Sequence, residues 1–157
     1  MSLDLEFITK EDKPALLGFS NSDHEAGITA ALIDLGYKVH AAHTYEEFVS
    51  RFGQIQYQLV VIEELFAATC PEENLSLRDL QEMPMNSRRH SVVFLIGESF
   101  QTLSPFQAFQ QSVHAVINPT DIGLLSQLIL KVNADNDVFL NSYRETLDRV
   151  AETGYSS

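Results

Sequence analysis

The apolar residues of this chain fall into short continuous runs separated by segments with helical periodicity. Strands are predicted at residues 14–20, 37–42, 57–62, 91–96 and 114–117, and the apolar runs at 59–62 and 92–96 are uninterrupted. Runs of this kind predict strands that are buried on both faces of a parallel sheet. Between them, apolar residues recur every three or four positions, as in amphipathic helices. Five strands alternating with five helices predict a doubly wound α/β sheet with right-handed crossovers.

Capping signals mark where several of these helices begin and end. The tetrapeptides that start at Ser22 and Thr44 both end in Glu and predict capping boxes. Ser104 followed by Pro105 predicts another helix start, with Ser as the cap and Pro at the first helical position. Gly36 stands where a helix commonly ends in a left-handed residue.

The C-terminal segment predicts one long helix. From Leu124 onward neither Gly nor Pro occurs until Gly154, so a helix of about thirty residues is expected to begin near Asp121. A break at residues 133–136 is the alternative, because Asn and Asp are poor helix formers. At the other end of the chain, residues 5–8 predict a small edge strand.

Composition and charge narrow the possible functions. The chain has 157 residues and a net charge of −12, which disfavours nucleic acids and anionic membranes as partners. Arg88 and Arg89 are an isolated basic pair. No apolar run reaches the ~20 residues of a membrane span, and the N-terminus does not have the pattern of a signal peptide. Cys70 is the single cysteine, which excludes an internal disulfide and fits a cytoplasmic setting.

Two carboxylates directly follow the third apolar run, where open α/β sheets carry their functional groups. These residues, Glu63 and Glu64, suggest a general acid and base if the strand has ended between them, but adjacent residues within a strand point to opposite faces. The spacing of His24, His40, His43, His90 and Cys70 is not typical of metal ligands, and no Gly-rich loop follows the first strand. We therefore expect no metal, no cofactor and no catalysis.

Four segments together resemble the receiver domains of bacterial response regulators (the CheY-like family). Residues 13–19 resemble their first strand, and residues 35–39 (Leu-Gly-Tyr-Lys-Val) resemble their turn into the second strand. Residues 57–63 are similar to the run that ends in the phosphoacceptor aspartate, and residues 116–119 resemble the end of the fifth strand. The resemblance implies a flavodoxin-like fold with a five-stranded parallel sheet.

The positions that would bind metal and phosphoryl depart from the receiver pattern. Ser20 and Asn21 stand where receivers carry the acidic pair that holds Mg²⁺, and Glu63 stands at the phosphoacceptor position. Neutral oxygens are weak replacements for the carboxylates that Mg²⁺ prefers. Glutamate is also one methylene longer than aspartate, and it leaves open a permanent mimic of the phosphorylated residue.

The positions that would respond to phosphorylation depart as well. Gly97 stands in place of a threonine or serine, Ala115 in place of an aromatic switch residue, and Asn118 in place of a lysine. Only the proline remains, as Pro119, and the resemblance implies a cis peptide before it.

The resemblance, with these departures, implies a pseudo-receiver: a signalling domain that binds protein partners without aspartyl phosphorylation. We expect an N-terminal arm (residues 1–12), a receiver-like domain (13–132) and a C-terminal helical extension (133–157). The extension is expected to form a homodimer. The expected interaction face consists of Phe106, Phe139, Tyr143 and Leu147. An active receiver with unconventional ligands and a small flavodoxin-like enzyme using Glu63 or Glu64 remain the alternatives.

The phenylalanines carry two further predictions. Phe94, Phe106 and Phe109 are predicted to contribute to the core, although Phe106 is also assigned to the interaction face. Phe100, in the loop after the fourth strand, is predicted to be exposed.

Overall fold

Five strands and five α-helices alternate along the residues that the computed structural model describes, which are 12–20, 22–84 and 90–155. The strands are β1 (Lys13–Gly18), β2 (Tyr37–Ala42), β3 (Leu59–Glu63), β4 (Val92–Ile96) and β5 (Ala115–Ile117). The helices are α1 (Ser22–Asp34), α2 (Tyr45–Gln54), α3 (Leu75–Glu82), α4 (Pro105–Gln111) and α5 (Leu125–Tyr155). Short 3-10 helices form at Pro71–Glu73 and Pro119–Leu124.

The strands form a parallel sheet in the order β2-β1-β3-β4-β5. Gly18 pairs with Ile62, and Glu63 pairs with Ile96, so the last residues of β1, β3 and β4 are nearly level. This is the flavodoxin-like α/β fold that the sequence predicts. Because all strands run in the same direction, their carboxyl ends meet at one edge of the sheet.

The central strands are buried on both faces, as continuous apolar runs require. Leu59 to Ile62 of β3 and all five residues of β4 are buried. Burial of each Val, Leu or Ile side chain contributes about 1.5–3 kcal/mol. On one side of the sheet the core contains a group of aromatic rings, with Phe48 lying 6.0 Å from Phe52 and 5.9 Å from Phe66 between ring centroids.

Three of the predicted helix signals form as expected. The Thr44 hydroxyl accepts a hydrogen bond from the Glu47 N–H at 3.1 Å, and the Ser104 hydroxyl accepts one from the Gln107 N–H at 3.3 Å. Gly36 has φ = +91°, a conformation that side chains with a Cβ rarely adopt. Local capping chemistry thus determines these boundaries.

The C-terminal helix α5 is continuous over 31 residues. It begins at Leu125, so the predicted start near Asp121 is wrong by about one turn: residues Pro119–Leu124 form a 3-10 helix instead. The predicted alternative, a break at residues 133–136, does not occur. An ion pair between Lys131 and Asp135, 2.9 Å apart and four residues apart, lies across that stretch and favours the helix.

The chain divides into two units, Met1–Ser126 and Gln127–Ser157. The sheet belongs to the first unit, and the second consists of most of α5. Within the described ranges, no helix combines the length and the apolar character needed to cross a membrane. The edge strand predicted at residues 5–8 and the pair Arg88 and Arg89 lie outside the described residues.

Candidate functional site

The carboxyl edge of the sheet brings together the positions that the sequence singled out. Ser20 follows β1, Glu63 ends β3, Gly97 follows β4 and Asn118 follows β5. Asn21 lies outside the described residues. The edge therefore carries a hydroxyl after β1, a carboxylate at the end of β3, a glycine after β4 and an amide after β5.

The Glu63 carboxylate is bound by the loop after β1. Its Oε1 accepts a hydrogen bond from the backbone N–H of Ser20 at 2.7 Å. The Ser20 hydroxyl in turn accepts a hydrogen bond from the Ala67 N–H at 2.6 Å. The backbone N–H and the hydroxyl of Ser20 thus both connect the loop after β1 to the segment that contains Glu63 and Ala67.

The Glu64 carboxylate bonds to the loop after β4. Its two oxygens accept hydrogen bonds from the Ser99 hydroxyl at 3.0 and 3.1 Å. A Cβ at Gly97 would lie 2.7 Å from Glu64 Oε1 and 2.9 Å from Cε2 of Phe100. Gly97 is therefore needed for space, because Glu64 and Phe100 fill the volume that a side chain there would occupy.

The carboxylates of the two adjacent glutamates bond to different loops. Glu63 is bound by the loop after β1, and Glu64 is bound by the loop after β4. A general acid and base that act on one substrate would have to face a common point. The geometry gives no support to catalysis by this pair.

Asn118 connects the loop after β4 to the end of β5. Its side-chain N–H₂ donates hydrogen bonds to the carbonyl oxygens of Phe100 at 2.9 Å and Glu98 at 3.3 Å. Its side-chain oxygen accepts hydrogen bonds from the N–H and hydroxyl of Thr120, at 3.0 and 2.9 Å. Both ends of the amide are thus engaged within the chain.

The expected cis peptide before Pro119 is wrong, because that bond is trans. Asn118 has φ = −78° and ψ = 138°, the extended conformation that a residue before proline prefers. From this position it caps the 3-10 helix, and Pro119 occupies the first helical position. Helix capping by Asn118 therefore accounts for the backbone at this join.

Asn74 is a buried member of the same edge that the sequence interpretation missed. Its N–H₂ group donates to the carbonyl oxygens of Glu63 at 2.9 Å and Glu64 at 3.0 Å, and its oxygen accepts from the Leu77 N–H at 3.0 Å. An Asn before the apolar start of α3 is a recognisable capping signal. Its bonds to the end of β3, ten or eleven residues away, have no signal in the sequence.

The aromatic side chains near this edge are placed differently from the prediction. Phe100 is buried, with 6% of its surface exposed, so its predicted exposure is wrong. Its N–H donates to the Gly97 carbonyl at 3.2 Å in a tight turn, and its ring lies against Gly97 and within the core. Ala115, the residue that the sequence suggested for the aromatic switch position, is a buried small residue.

Two phenylalanines of α4 are exposed instead of buried. Phe106 is 69% exposed and Phe109 is 83% exposed, so their assignment to the core is wrong, whereas Phe94 is buried as predicted. Helix α4 has only seven residues, and Ala108 is its one buried side chain. Residues 101–120 contain no Asp, Glu, Lys or Arg, so this aromatic surface lies in an uncharged stretch of an acidic chain.

The predicted interaction residues of α5 lie on an exposed helix. Phe139 is 56% exposed and Leu147 is 48% exposed, and Val150 is exposed as well. Tyr143 lies in the same helix, but its side chain is outside the described residues. These exposures show that α5 carries apolar side chains on its surface.

The remaining titratable candidates give no second site. Partial burial raises the pKa of the Cys70 thiol, and a hydrogen bond with Glu72 raises it further, which disfavours the reactive thiolate. No group of three or more His, Cys, Asp or Glu side chains in the described part of the chain could hold a metal ion. His40 is buried and bonds through Nδ1 to the Tyr57 hydroxyl at 2.7 Å.

No family model matches this sequence, and no curated protein matches it. Solved structures with the same fold include HP1043, an orphan response regulator of H. pylori, with 17% identity and a TM-score of 0.59 over 79% of this chain and 98% of that chain. The chemotaxis response regulator CheY4 of Vibrio cholerae has 10% identity and a TM-score of 0.55 over 74% and 98% of the two chains.

A third solved structure is a fusion that contains the trimeric coiled coil of yeast Spc42. The match covers 95% of this chain and 97% of the fusion chain. It has 14% identity and a TM-score of 0.56. At these identities the likenesses to the two response regulators show the fold alone, a flavodoxin-like α/β sheet with the CheY-like strand order.

Proposed function

We propose that this chain is a pseudo-receiver: a receiver-like signalling module that acts through protein–protein contacts and is not an enzyme or a phosphoacceptor. The observation that carries the proposal is that the polar groups at the carboxyl edge are held by hydrogen bonds within the chain. Glu63 is bound by Ser20, and both ends of the Asn118 amide are bound within the chain. A phosphoryl group would have to displace these contacts.

The chemistry of the edge is unfavourable to a phosphoryl group. Phosphoryl transfer requires cations that neutralise the charge on the phosphoryl oxygens. Among the described candidate positions, the side chains of Ser20, Gly97, Ala115 and Asn118 supply no charge, and Glu63 is acidic. The Glu64 carboxylate lies over Gly97 and adds a second negative charge on that side. These carboxylates would repel a phosphoryl group bound at the edge, because both carry negative charge.

The exposed apolar surfaces are the proposed sites of partner binding. Helix α4 presents Phe106 and Phe109 from an uncharged stretch, and α5 presents Phe139 and Leu147. We assign homodimerisation to α5. The fusion with a trimeric coiled coil matches 95% of this chain, so that match includes much of α5, which supports a long helix as an element of this architecture.

The absence of phosphorylation is tested by titration with Mg²⁺ and beryllofluoride, a phosphoryl analogue, followed by backbone NMR. We expect no saturable shifts at Glu63, Gly97 and Asn118. Saturable shifts that disappear in Glu63→Gln would identify an active receiver with unconventional ligands. Shifts that persist in that variant would show an ion site elsewhere on the domain.

Homodimerisation is tested by sedimentation equilibrium of the full chain and of a chain ending at Val132. We expect the full chain to associate in a concentration-dependent way and the shortened chain to be monomeric. Monomers in both cases would contradict the assignment to α5, and dimers in both cases would move the interface to the first unit.

A point variant makes the same test without shortening the chain. The double substitution of Phe139 and Leu147 by Ser should weaken association at least tenfold, because both exposed side chains would be buried at the interface. Val138→Ser is the matched control, since Val138 is also exposed but lies about 100° around the helix from Phe139. Equal loss in both variants would show that general hydrophobicity, not this face, drives association.

A further inference from the structure

We propose that Glu64 is a positioning residue that holds the loop after β4 and, through Ser99 and Gln107, sets the orientation of helix α4. The inference rests on the proposed function in treating α4 as an interaction helix. It concerns how the carboxyl edge controls that helix in a chain that lacks the receiver's phosphoryl-dependent side chains.

The first step of the connection joins β3 to the loop after β4. Both oxygens of the Glu64 carboxylate accept the Ser99 hydroxyl, at 3.0 and 3.1 Å. The Glu64 backbone is itself fixed, since its N–H donates to the Ile96 carbonyl at 2.8 Å and its carbonyl accepts from buried Asn74 at 3.0 Å. A rigid backbone gives the carboxylate a defined direction.

The second step joins that loop to α4. The Ser99 carbonyl accepts a hydrogen bond from the Gln107 side-chain N–H₂ at 3.3 Å, and the Gln107 side-chain oxygen accepts the Gln101 N–H at 2.7 Å. Gln107 lies between the exposed Phe106 and the buried Ala108 in α4. The loop therefore holds the helix next to its exposed aromatic residue.

Gly97 is matched to this arrangement. A Cβ at position 97 would lie 2.7 Å from Glu64 Oε1, closer than real Cβ contacts, and at a tight 3.0 Å from Glu64 Cβ, so the Glu64 carboxylate would have to move. The family's threonine or serine at this place would therefore force Glu64 away from Ser99. A glycine at position 97 leaves room for the Glu64 carboxylate. The bond from Glu64 to Ser99 then takes the place of the bond that a threonine or serine at position 97 would make to a phosphoryl group.

A second anchor keeps the loop folded when Glu64 is removed. The Asn118 amide holds the Phe100 carbonyl at 2.9 Å, and the Phe100 ring is buried. Substitution of Glu64 is therefore expected to release Ser99 and Gln107 without unfolding the domain.

The test is amide hydrogen exchange and backbone NMR on the full chain with Glu64→Ala. We expect exchange at residues 99–101 to rise about tenfold or more, because local opening no longer breaks a charge-assisted bond. Resonances of Phe106 and Phe109 should shift as well. Ser99→Ala removes the same bond from its other end and should give the same pattern, whereas Glu98→Ala, which removes a neighbouring exposed carboxylate, should leave α4 unchanged.

Several outcomes overturn the inference. If Glu64→Ala changes amide exchange and resonances only up to Ser99, α4 is held independently of Glu64. If Glu98→Ala gives the same changes as Glu64→Ala, the cause is a general effect of charge. Gly97→Ala provides a third variant, expected to reproduce the shifts at Phe106 and Phe109. Because these readouts are made within one chain at a concentration where it is monomeric, they do not depend on whether the proposed homodimer forms.

Discussion

At the scale of single residues, Asn74 combines several roles in one buried side chain. It caps α3 and holds the last carbonyl groups of β3, next to Glu63 and Glu64. The general cost of leaving a buried carbonyl unpaired is about 1–3 kcal/mol, and loss of a cap costs about 1 kcal/mol. These contacts explain why a polar residue is retained at a buried position.

We therefore expect Asn74→Ala to lower the free energy of unfolding by about 2–4 kcal/mol, from the lost cap and the unpaired carbonyl groups. Urea denaturation monitored by circular dichroism measures the change. Asn118→Ala is a useful comparison, because Asn118 makes a similar number of bonds but is more exposed, and its substitution should cost less. A change below about 0.5 kcal/mol in Asn74→Ala would contradict the role of these bonds.

His40 is a second residue of interest, because its buried surroundings lower the pKa of its imidazole. Burial lowers the pKa of the His40 imidazole below its usual 6.5, and the nearby positive charges of Arg51 and Lys38 lower it further. Its Nδ1 contacts the Tyr57 hydroxyl, whose pKa is raised to about 12 by burial, and its Nε2 is buried without a hydrogen-bond partner among the described residues. The folded protein therefore favours the neutral ring.

This arrangement predicts a loss of stability in acid. Because the folded-state pKa of His40 is depressed, its contribution is complete above pH 6.5 and is lost as the pH falls toward that lower value. One proton gives a slope of at most about 1.4 kcal/mol per pH unit. Urea denaturation at several pH values should show a smaller slope below pH 6.5 in His40→Gln than in the wild type. Tyr57→Phe, which keeps the buried imidazole, should retain the slope.

At the scale of elements, α4 and the loop before it contain three phenylalanines that are close in sequence but differ in burial. Phe100 fills the core, whereas Phe106 and Phe109 are mostly exposed. The tight turn at Gly97 directs the first ring inward, and the short helix directs only Ala108 toward the core. Stability and partner binding are therefore expected to depend on different residues of the same segment.

Alanine substitutions should distinguish these roles. Phe100→Ala should lower the free energy of unfolding by about 3–5 kcal/mol, because it leaves a cavity in the core. Phe109→Ala should stay within about 0.5 kcal/mol of the wild type, as expected for an exposed side chain. Thermal and urea denaturation measure both. A large loss of stability in Phe109→Ala would mean that this side chain is covered in solution.

Helix α5 shows how local preference yields to length and side-chain pairing. Residues 133–136 contain poor helix formers, each of which costs a fraction of a kcal/mol relative to Ala. The favourable residues on either side and the Lys131–Asp135 pair offset that cost, and the helix continues to Tyr155. A local break would have required a residue such as Pro, which costs about 3 kcal/mol in a helix interior.

At the scale of the whole molecule, the net charge of −12 opposes association of two copies. Salt screens this repulsion, with a Debye length of about 10 Å at 0.1 M ionic strength. We therefore expect the homodimer to become tighter between 50 and 300 mM NaCl. Sedimentation equilibrium at both concentrations measures the effect, and weaker association at high salt would indicate an interface held by opposite charges instead of apolar side chains.

The part of the structure that the sequence could predict depends on neighbours along the chain. Continuous apolar runs identify buried strands, and residues such as Thr44, Ser104 and Gly36 mark helix ends through local hydrogen bonds or backbone freedom. The order of strands and helices then allows few topologies. The proposed departure from the receiver pattern at Ser20, Gly97 and Asn118 also comes from the sequence alone, because it concerns residue types.

The tertiary structure alone determined the contacts between residues that are far apart in the chain. Glu63 binds Ser20 from 43 positions away, and Glu64 binds Ser99 from 35 positions away, although the two glutamates are adjacent. The burial of Phe100 and the exposure of Phe106 and Phe109 likewise follow from the turn at Gly97 and the short length of α4. Sequence patterns report local periodicity and residue type, whereas the direction of a side chain at a strand end depends on which segments fold against it.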